Sequence, residues 1–234
     1  MAEKLAEAAG PQGLRHLGII ADGNRRWARE RGLKTIEGHQ KGMEVIEELV
    51  AAAMKAGIPF VSFYVFSTEN WGRSEAEVSY IMKMAAGQIT RLAEKMRENN
   101  IRLFVLGAKE KVDPKLMSKI EDAEKLTAEC TGTTACFCFN YGGEQEIADA
   151  ARKADAAGEE ISPATIRAHL YHPEVPDVDM VVRTSGEERI SGFMLWRAAY
   201  AEFLFLEKYF PEMVAEDIDM IIEEFGRRTR RFGK

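Results

Sequence analysis

Apolar residues recur along this chain in two rhythms: short, mostly apolar runs, and longer stretches in which every third or fourth position is apolar. The short runs read as buried strands and the spaced stretches as helices with one apolar stripe. Strands are predicted at Leu17–Ile20, Phe60–Phe66, Arg102–Leu106, Thr134–Phe139, Val178–Val182 and Phe203–Leu206. FVSFYVF, rich in aromatic and β-branched residues, suits a central strand. Lys41–Ala56 carries Met43, Ile46, Leu49, Val50 and Met54 at helical spacing and stops at Gly57. Glu75–Asn99 follows the capping box Ser74-x-x-Glu77. Its stripe is Val78, Ile81, Met82, Ala85, Ile89, Leu92 and Met96, a core face that would also suit the wall of a channel for a flexible apolar chain. Further helices are predicted from Pro114 to Glu129, from Gln145 to Ala157, after Ser162-Pro163, and over Ala215–Arg228.

Strands alternating with helices predict an α/β fold: a single domain with a mainly parallel central sheet flanked by helices. At 234 residues and 46% hydrophobic content the chain can build one sizeable core. There is no repeat, low-complexity tract or linker, so residues 1–15 read as an N-terminal extension and 16–234 as the domain.

Four predicted strands run directly into polar clusters. Leu17–Ile20 leads to Asp22-Gly23-Asn24-Arg25-Arg26-Trp27, and Phe60–Phe66 leads to Ser67-Thr68-Glu69-Asn70-Trp71-Gly72-Arg73. Thr134–Phe139 ends in Asn140-Tyr141-Gly142-Gly143, and Val178–Val182 in Arg183-Thr184-Ser185-Gly186-Glu187-Glu188-Arg189-Ile190-Ser191. Any one of these could be a surface turn. In a parallel sheet, however, all four strand ends share one edge, where ligands bind. Arginines gathered there without an anion would be desolvated like charges, which is costly. A phosphate-rich ligand resolves the problem, because guanidinium pairs with phosphate bidentately and Mg²⁺ takes one or two carboxylates plus phosphate oxygens. No P-loop or GxGxxG is present, so ordinary nucleotide binding lacks its usual loop.

The net charge of −6 argues against nucleic acid as a partner, and any phosphate binding must rest on local clusters. Cys130, Cys136 and Cys138 are odd in number and lack zinc-site spacing, which predicts buried, reduced thiols in a cytoplasmic protein. The N-terminus has no sustained apolar region of a signal peptide, and no run of residues is long and apolar enough for a membrane span. Association with a membrane surface stays open. His169 and His172 have H-x-x-H spacing but flank Tyr171 and Pro173 in a predicted loop, which suits a ligand role poorly.

Taken together, HLGIIADGNRRWA, GHQKG, FYVFSTENWGR, FNYGG and RTSGEERISGFMLWRAAYAE resemble the cis-prenyltransferase family of the undecaprenyl diphosphate synthase type, from about His16 to Gly233. The resemblance implies an isoprenyl transferase acting as a homodimer. It condenses isopentenyl diphosphate with an allylic diphosphate such as farnesyl or geranylgeranyl diphosphate, with Mg²⁺. Each new double bond is cis, and the product is a poly-cis-prenyl diphosphate, the lipid carrier for cell-envelope glycan synthesis. It also implies a cytoplasmic enzyme meeting the inner membrane surface for product release. By the same resemblance Asp22 holds the metal, with Glu202 as a second metal carboxylate, and Asn70 is the proton acceptor. Gly23, Asn24, Arg25 and Arg26 cradle the allylic diphosphate beside Trp27 and His39. Ser67, Thr68, Glu69, Trp71 and Arg73 form the next substrate-contacting run. Arg183, Arg189, Ile190 and Ser191 grip isopentenyl diphosphate, and the tail residues Arg231 and Gly233 reach the partner's diphosphate.

The chain departs from the family pattern at Thr35, where Arg is frequent, at Glu144, where Arg usually follows NYGG, and at Glu188 and Gly192. These positions bear on allylic-site affinity and substrate preference. An amide is a poor base, so Asn70 equally suits a role in orienting a diphosphate or water. Glu202, near Trp196 and Tyr200, could also be a buried, paired carboxylate, and Trp27 and Trp71 could pack beside the site without touching substrate. Three other readings compete: a short-chain or irregular prenyl diphosphate synthase, a non-catalytic accessory subunit, and a phosphate-binding regulatory module.

Overall fold

The computed structural model describes residues 10–228. Its strands are β1 (His16–Ile20), β2 (Phe60–Ser67), β3 (Arg102–Leu106), β4 (Thr134–Tyr141), β5 (Met180–Arg183) and β6 (Glu202–Phe205). They pair in the order β3-β4-β2-β1-β5-β6, every pair parallel. The helices are α1 (Asn24–Glu30), α2 (Thr35–Lys55), α3 (Glu75–Glu98), α4 (Pro114–Leu126), α5 (Gly143–Ala156), α6 (Pro163–His169) and α7 (Glu216–Gly226). From β1 the chain moves outward through β2 on one side and returns to β5 on the other. Such a reversal opens a crevice at the strands' carboxyl ends.

Both faces of the sheet are covered, as a parallel sheet requires. On one face Leu17, Ile19, Val61, Phe63, Phe137 and Val182 meet Val45, Ile46 and Leu49 of α2, Leu92 and Met96 of α3, and Ile218 and Ile221 of α7. On the other, Ile20, Phe60, Tyr64, Phe104 and Val181 are covered by Val175, Val178, Phe193, Met194 and Ala198, from the irregular segments around β5. Leu14, ahead of β1, is fully buried in the first cluster. Each such side chain contributes about 1.5–3 kcal/mol by leaving water. Cys130, Cys136 and Cys138 are buried and free, and burial pushes the Cys136 thiol up to about 12. An inert thiol follows.

At the β3 edge, two side chains of the α4 segment occupy strand N–H groups that would otherwise stand open. Val105 N–H donates to Glu124 Oε1 (2.7 Å) and Leu103 N–H to Thr127 Oγ1 (3.0 Å). That blunts the edge against pairing with another chain. The opposite edge, β6, keeps Phe203 and Phe205 half-buried with their rings stacked at 6.3 Å. Tyr200 just before it is 73% exposed.

Two elements differ from the apolar pattern. Asn24–Glu30 is a helix although it carries almost no apolar signal, and α2 begins at Thr35, six residues before the first predicted position. The cause is contact between α1 and α2 through glycine. A Cβ on Gly38 would lie 2.1 Å from the Asn24 carbonyl oxygen, so the helices approach backbone to backbone where no apolar side chain is needed.

Candidate active site

The four polar clusters converge. A cavity of about 830 Å³ at the carboxyl edge is lined by Asp22 and Asn24 after β1, by Ser67 at the end of β2 and Thr68, Glu69, Asn70 and Arg73 after it, by Gly142, Gly143 and Glu144 after β4, and by Arg183 at the end of β5 and Ser191 and Gly192 after it.

Asp22 is its centre. Its backbone N–H donates to Thr184 Oγ1 (3.1 Å) and the Thr184 hydroxyl donates back to the Asp22 carbonyl (2.7 Å), clamping the ends of β1 and β5 together. Gly23 follows at φ 101°, where a Cβ would lie 2.6 Å from the Tyr209 ring, so only glycine makes this turn. The Gly23 N–H donates to Asp22 Oδ1 (2.7 Å) and Arg183 Nη2 to Asp22 Oδ2 (2.8 Å), while Arg26 Nη2 lies 3.6 Å from Oδ1. Arg183 is almost fully buried, and its Nη1 donates to the Arg189 carbonyl (2.5 Å) and Ser191 Oγ (2.8 Å). Arg26 continues to Glu187 (2.9 Å), which also holds Arg189 (2.5 Å). Charges therefore alternate Arg183–Asp22–Arg26–Glu187–Arg189 from the cavity to its rim.

The β2 lip is a short 3₁₀ helix, Thr68–Gly72. Ser67 N–H donates to Asn70 Oδ1 (3.2 Å), which leaves the Asn70 amide to act as a donor. Trp71 Nε1–H donates to Asn140 Oδ1 (2.7 Å) and its ring meets Phe66 edge-on at 5.4 Å, a packing role beside the cavity. Glu77 Oε1 lies 3.2 Å from both Arg73 Nη1 and His39 Nε2, and 3.9 Å from Arg25 Nε. Burial lowers the pKa of His39 below its ordinary value, with the Glu77 hydrogen bond opposing the shift, and burial likewise lowers that of Arg73.

Two supporting groups carry no local signal in the sequence. The Tyr64 hydroxyl sits 3.2 Å from the Tyr141 carbonyl and 3.3 Å from the Ser191 carbonyl, tying the β4 and β5 lips together. Below them Arg197 and Glu146, both fully buried, pair at 2.6 Å. Glu146 also accepts from Tyr141 Oη (2.5 Å) and Tyr171 N–H (3.0 Å), and Arg197 donates to the carbonyls of Tyr171, His172 and Val175.

A second cavity, about 110 Å³, lies between α2, α3 and the sheet. Met43, Ile46, Ile81, Met84, Ala85, Ile89, Leu92, Phe137 and Phe139 line it, and Ala21, Asn24 and Val65 line both cavities. A polar chamber therefore adjoins an apolar one.

Some residues stand apart. Trp27 is covered by the Arg31 guanidinium at 4.9 Å, and Ile190 packs on the second-face core. Glu202 pairs in register with Met180 at the amino end of β5, whereas Arg183 pairs with Phe205. It thus sits about 10 Å down the strand from the cavity edge, where Arg228 Nη1 reaches it at 3.3 Å. A single chain does not bring Glu202 to Asp22. Arg231 and Gly233 lie outside the described residues. His172 is held by Glu124 (3.1 Å) and Glu174 (3.5 Å), and His169 by Glu159 (3.0 Å). Among the described residues no group of three or more His, Cys, Asp or Glu could hold a metal ion.

The family model for undecaprenyl diphosphate synthase matches residues 20–233. Isoprenyl transferase 2 of Corynebacterium efficiens is 41% identical over 226 residues, covering 94% of this chain and 93% of its own. The (2Z,6E)-farnesyl diphosphate-specific trans,polycis-polyprenyl diphosphate synthase of Thermobifida fusca is 40% identical over 226 residues, covering 94% of this chain and 80% of its own. Among solved structures, lavandulyl diphosphate synthase from Lavandula x intermedia in complex with dimethylallyl diphosphate superposes with a TM-score of 0.88 at 30% identity, covering 94% of this chain and 98% of that one. The chain therefore belongs to the undecaprenyl diphosphate synthase family and is a prenyl transferase.

Proposed function

We propose that this prenyl transferase condenses isopentenyl diphosphate onto an allylic diphosphate, with farnesyl diphosphate as primer, to give a poly-cis-prenyl diphosphate. The observation that carries this reading is the junction of the two cavities at Asn24. Asp22, Arg73 and Arg183 line the polar chamber, while the chamber behind is apolar. An amphiphile with an anionic head and a hydrocarbon tail fits both halves. Each methylene buried there contributes about 0.8 kcal/mol, enough to draw a growing chain inward.

The donor set suits Mg²⁺. Asp22 offers one partly exposed carboxylate among guanidiniums, and a cation that keeps several waters and takes its other ligands from phosphate needs no protein cage. Bound with the diphosphate, Mg²⁺ would neutralise charge developing on the leaving group. The protein's own part is positional and electrostatic. Asn24, Arg25 and Arg26 hold the allylic diphosphate, with Arg73 and the hydroxyls of Ser67 and Thr68 at the second lip. Arg183, Arg189 and Ser191 hold isopentenyl diphosphate alongside. The allylic C–O bond breaks as diphosphate leaves, the new C–C bond forms, and a proton departs from C2 of the isopentenyl unit. With Asn70 Oδ1 already accepting from Ser67, Asn70 orients a diphosphate oxygen through its NH₂ group, and the departing diphosphate takes the proton.

In this reading two copies of the chain assemble. The β6 edge, where Phe203 and Phe205 are half-buried and Tyr200 is 73% exposed, supports that, and assembly would bring Glu202 and the tail residues Arg231 and Gly233 towards a partner's diphosphates. No described helix is long and apolar enough to cross a membrane, and the product would leave into the inner membrane surface as a carrier for envelope glycans. The resemblance to a lavandulyl diphosphate synthase favours one second reading, an irregular or short-chain condensation.

Turnover of labelled isopentenyl diphosphate with farnesyl diphosphate, with and without Mg²⁺ and with product lengths resolved, tests the reading. Mg²⁺-dependent elongation by several units is expected. A single branched condensation from dimethylallyl diphosphate would select the second reading, and no product with any primer would overturn both.

A further inference from the structure

We propose that Glu77 is a positioning residue that stands in for the diphosphate while the site is empty, holding Arg25, Arg73 and His39 as one cluster that the incoming diphosphate dissolves. The inference rests on the reading of the polar cavity as a diphosphate site. Glu77 lines neither cavity, whereas Arg73 lines the polar one and His39 the apolar one. Its single oxygen Oε1 gathers groups from three elements: Arg25 of α1 at 3.9 Å, His39 of α2 at 3.2 Å, and Arg73 ahead of α3 at 3.2 Å. The Glu77 and His39 side chains are 12% and 11% exposed and Arg73 is 26% exposed, so the His39 and Arg73 contacts are made largely out of water and are poorly screened, whereas Arg25 reaches in from the surface.

The geometry implies a competition. Arg73 and Arg25 would repel one another if nothing anionic stood between them, and Glu77 is the carboxylate placed there. A diphosphate carries more charge than one carboxylate and takes guanidinium forks bidentately, so it wins both arginines from Glu77. The exchange has two consequences. Binding is weakened by the contacts that must be given up, and the arginines start from a defined position rather than from solvent. Removing the Glu77 charge should therefore tighten diphosphate binding while slowing turnover, a split that simple loss of structure would not produce.

Glu77→Gln tests this with inorganic diphosphate as the probe. Glutamine keeps the length of the side chain, and the cap of α3 is retained because Ser74 Oγ accepts from the backbone N–H of residue 77. Calorimetry should give a Kd for diphosphate about three- to ten-fold lower than in the unaltered protein, with kcat for isopentenyl transfer reduced about ten-fold. Glu77→Asp, which keeps the charge but draws it back from Arg25, should fall between the two. A second readout does not depend on ligand. The His39 ring, titrated by NMR amid Arg25, Arg73 and Glu77, should show a still lower pKa in Glu77→Gln, because the hydrogen bond that opposed burial is gone. An unchanged or weaker Kd with an unchanged His39 titration would overturn the positioning role. Absence of diphosphate binding in the unaltered protein would instead overturn the functional reading on which it rests.

Discussion

Arg183 and Asp22 meet at 2.8 Å across the junction of β5 and β1, and Arg183 carries the same guanidinium on to Ser191 and the Arg189 carbonyl. One buried cation thereby orients the carboxylate at the centre of the cavity and shapes the loop that follows β5. Asp22→Asn keeps the size and the Gly23 turn but removes the charge. Turnover should fall by roughly 100-fold or more, since the carboxylate acts on charge that develops at the leaving group. Unfolding should move by only about 1–2 kcal/mol, because Arg183 keeps two acceptors. Steady-state kinetics beside a urea titration separates the two effects, and near-normal turnover would remove Asp22 from the chemistry.

The Glu146–Arg197 pair answers to a different test. Both side chains are fully buried, so Glu146→Ala strands a cation and also removes the acceptor of Tyr141 Oη and Tyr171 N–H. A loss of about 3–5 kcal/mol is expected in urea. The double variant Glu146→Leu/Arg197→Met should recover little of it. Replacing a buried pair by apolar groups often restores stability, but here the carbonyls of Tyr171, His172 and Val175 would also lose their donor.

Ala85 lines the apolar cavity from α3. Ala85→Leu fills part of that space without touching the polar chamber. The product distribution, read by chromatography, should shift shorter by one or more isoprene units while the KM for isopentenyl diphosphate stays within about two-fold, since overpacking acts on the chain and not on the head group. An unchanged distribution would mean that the growing chain lies elsewhere.

The strands were legible because each is a short, mostly apolar run, and the shared direction of the first five followed from the helices between them. The convergence of four polar clusters followed in turn, since strand ends in a parallel sheet share an edge. Helix α1 and the first turn of α2 were not legible: their contact runs through Gly38 and the Asn24 backbone, which leaves no apolar period to read. Nor were Tyr64 and the Glu146–Arg197 network. Their partners lie 127 and 51 residues apart in sequence, so only the folded chain pairs them. Glu202, assigned to the metal by its motif alone, lies by register at the amino end of β6, away from its own chain's Asp22.

Two histidines should bound the pH range of greatest stability. His16 is fully buried, and burial, against the opposing bond to the Pro176 carbonyl, holds its pKa at about 4 in the folded chain. Below its unfolded value of about 6.5 the unfolded chain binds a proton that the folded one refuses, so stability falls as pH drops from about 6.5 towards 4. His172 behaves in the opposite sense. Burial disfavours its charge, but hydrogen bonds to Glu124 and Glu174 outweigh it and raise the pKa to about 9. Its contribution is complete below about 6.5 and is lost as pH rises through 9. Urea unfolding across this range should show a maximum near pH 6.5 with a decline on each side. His172→Gln should flatten the alkaline limb while leaving the acid one, and His16→Gln should shrink the acid limb, leaving the share of His39, which burial also holds low, and spare the alkaline one. An alkaline limb that persists in His172→Gln would mean that another group, and not the Glu124–His172–Glu174 cluster, sets it.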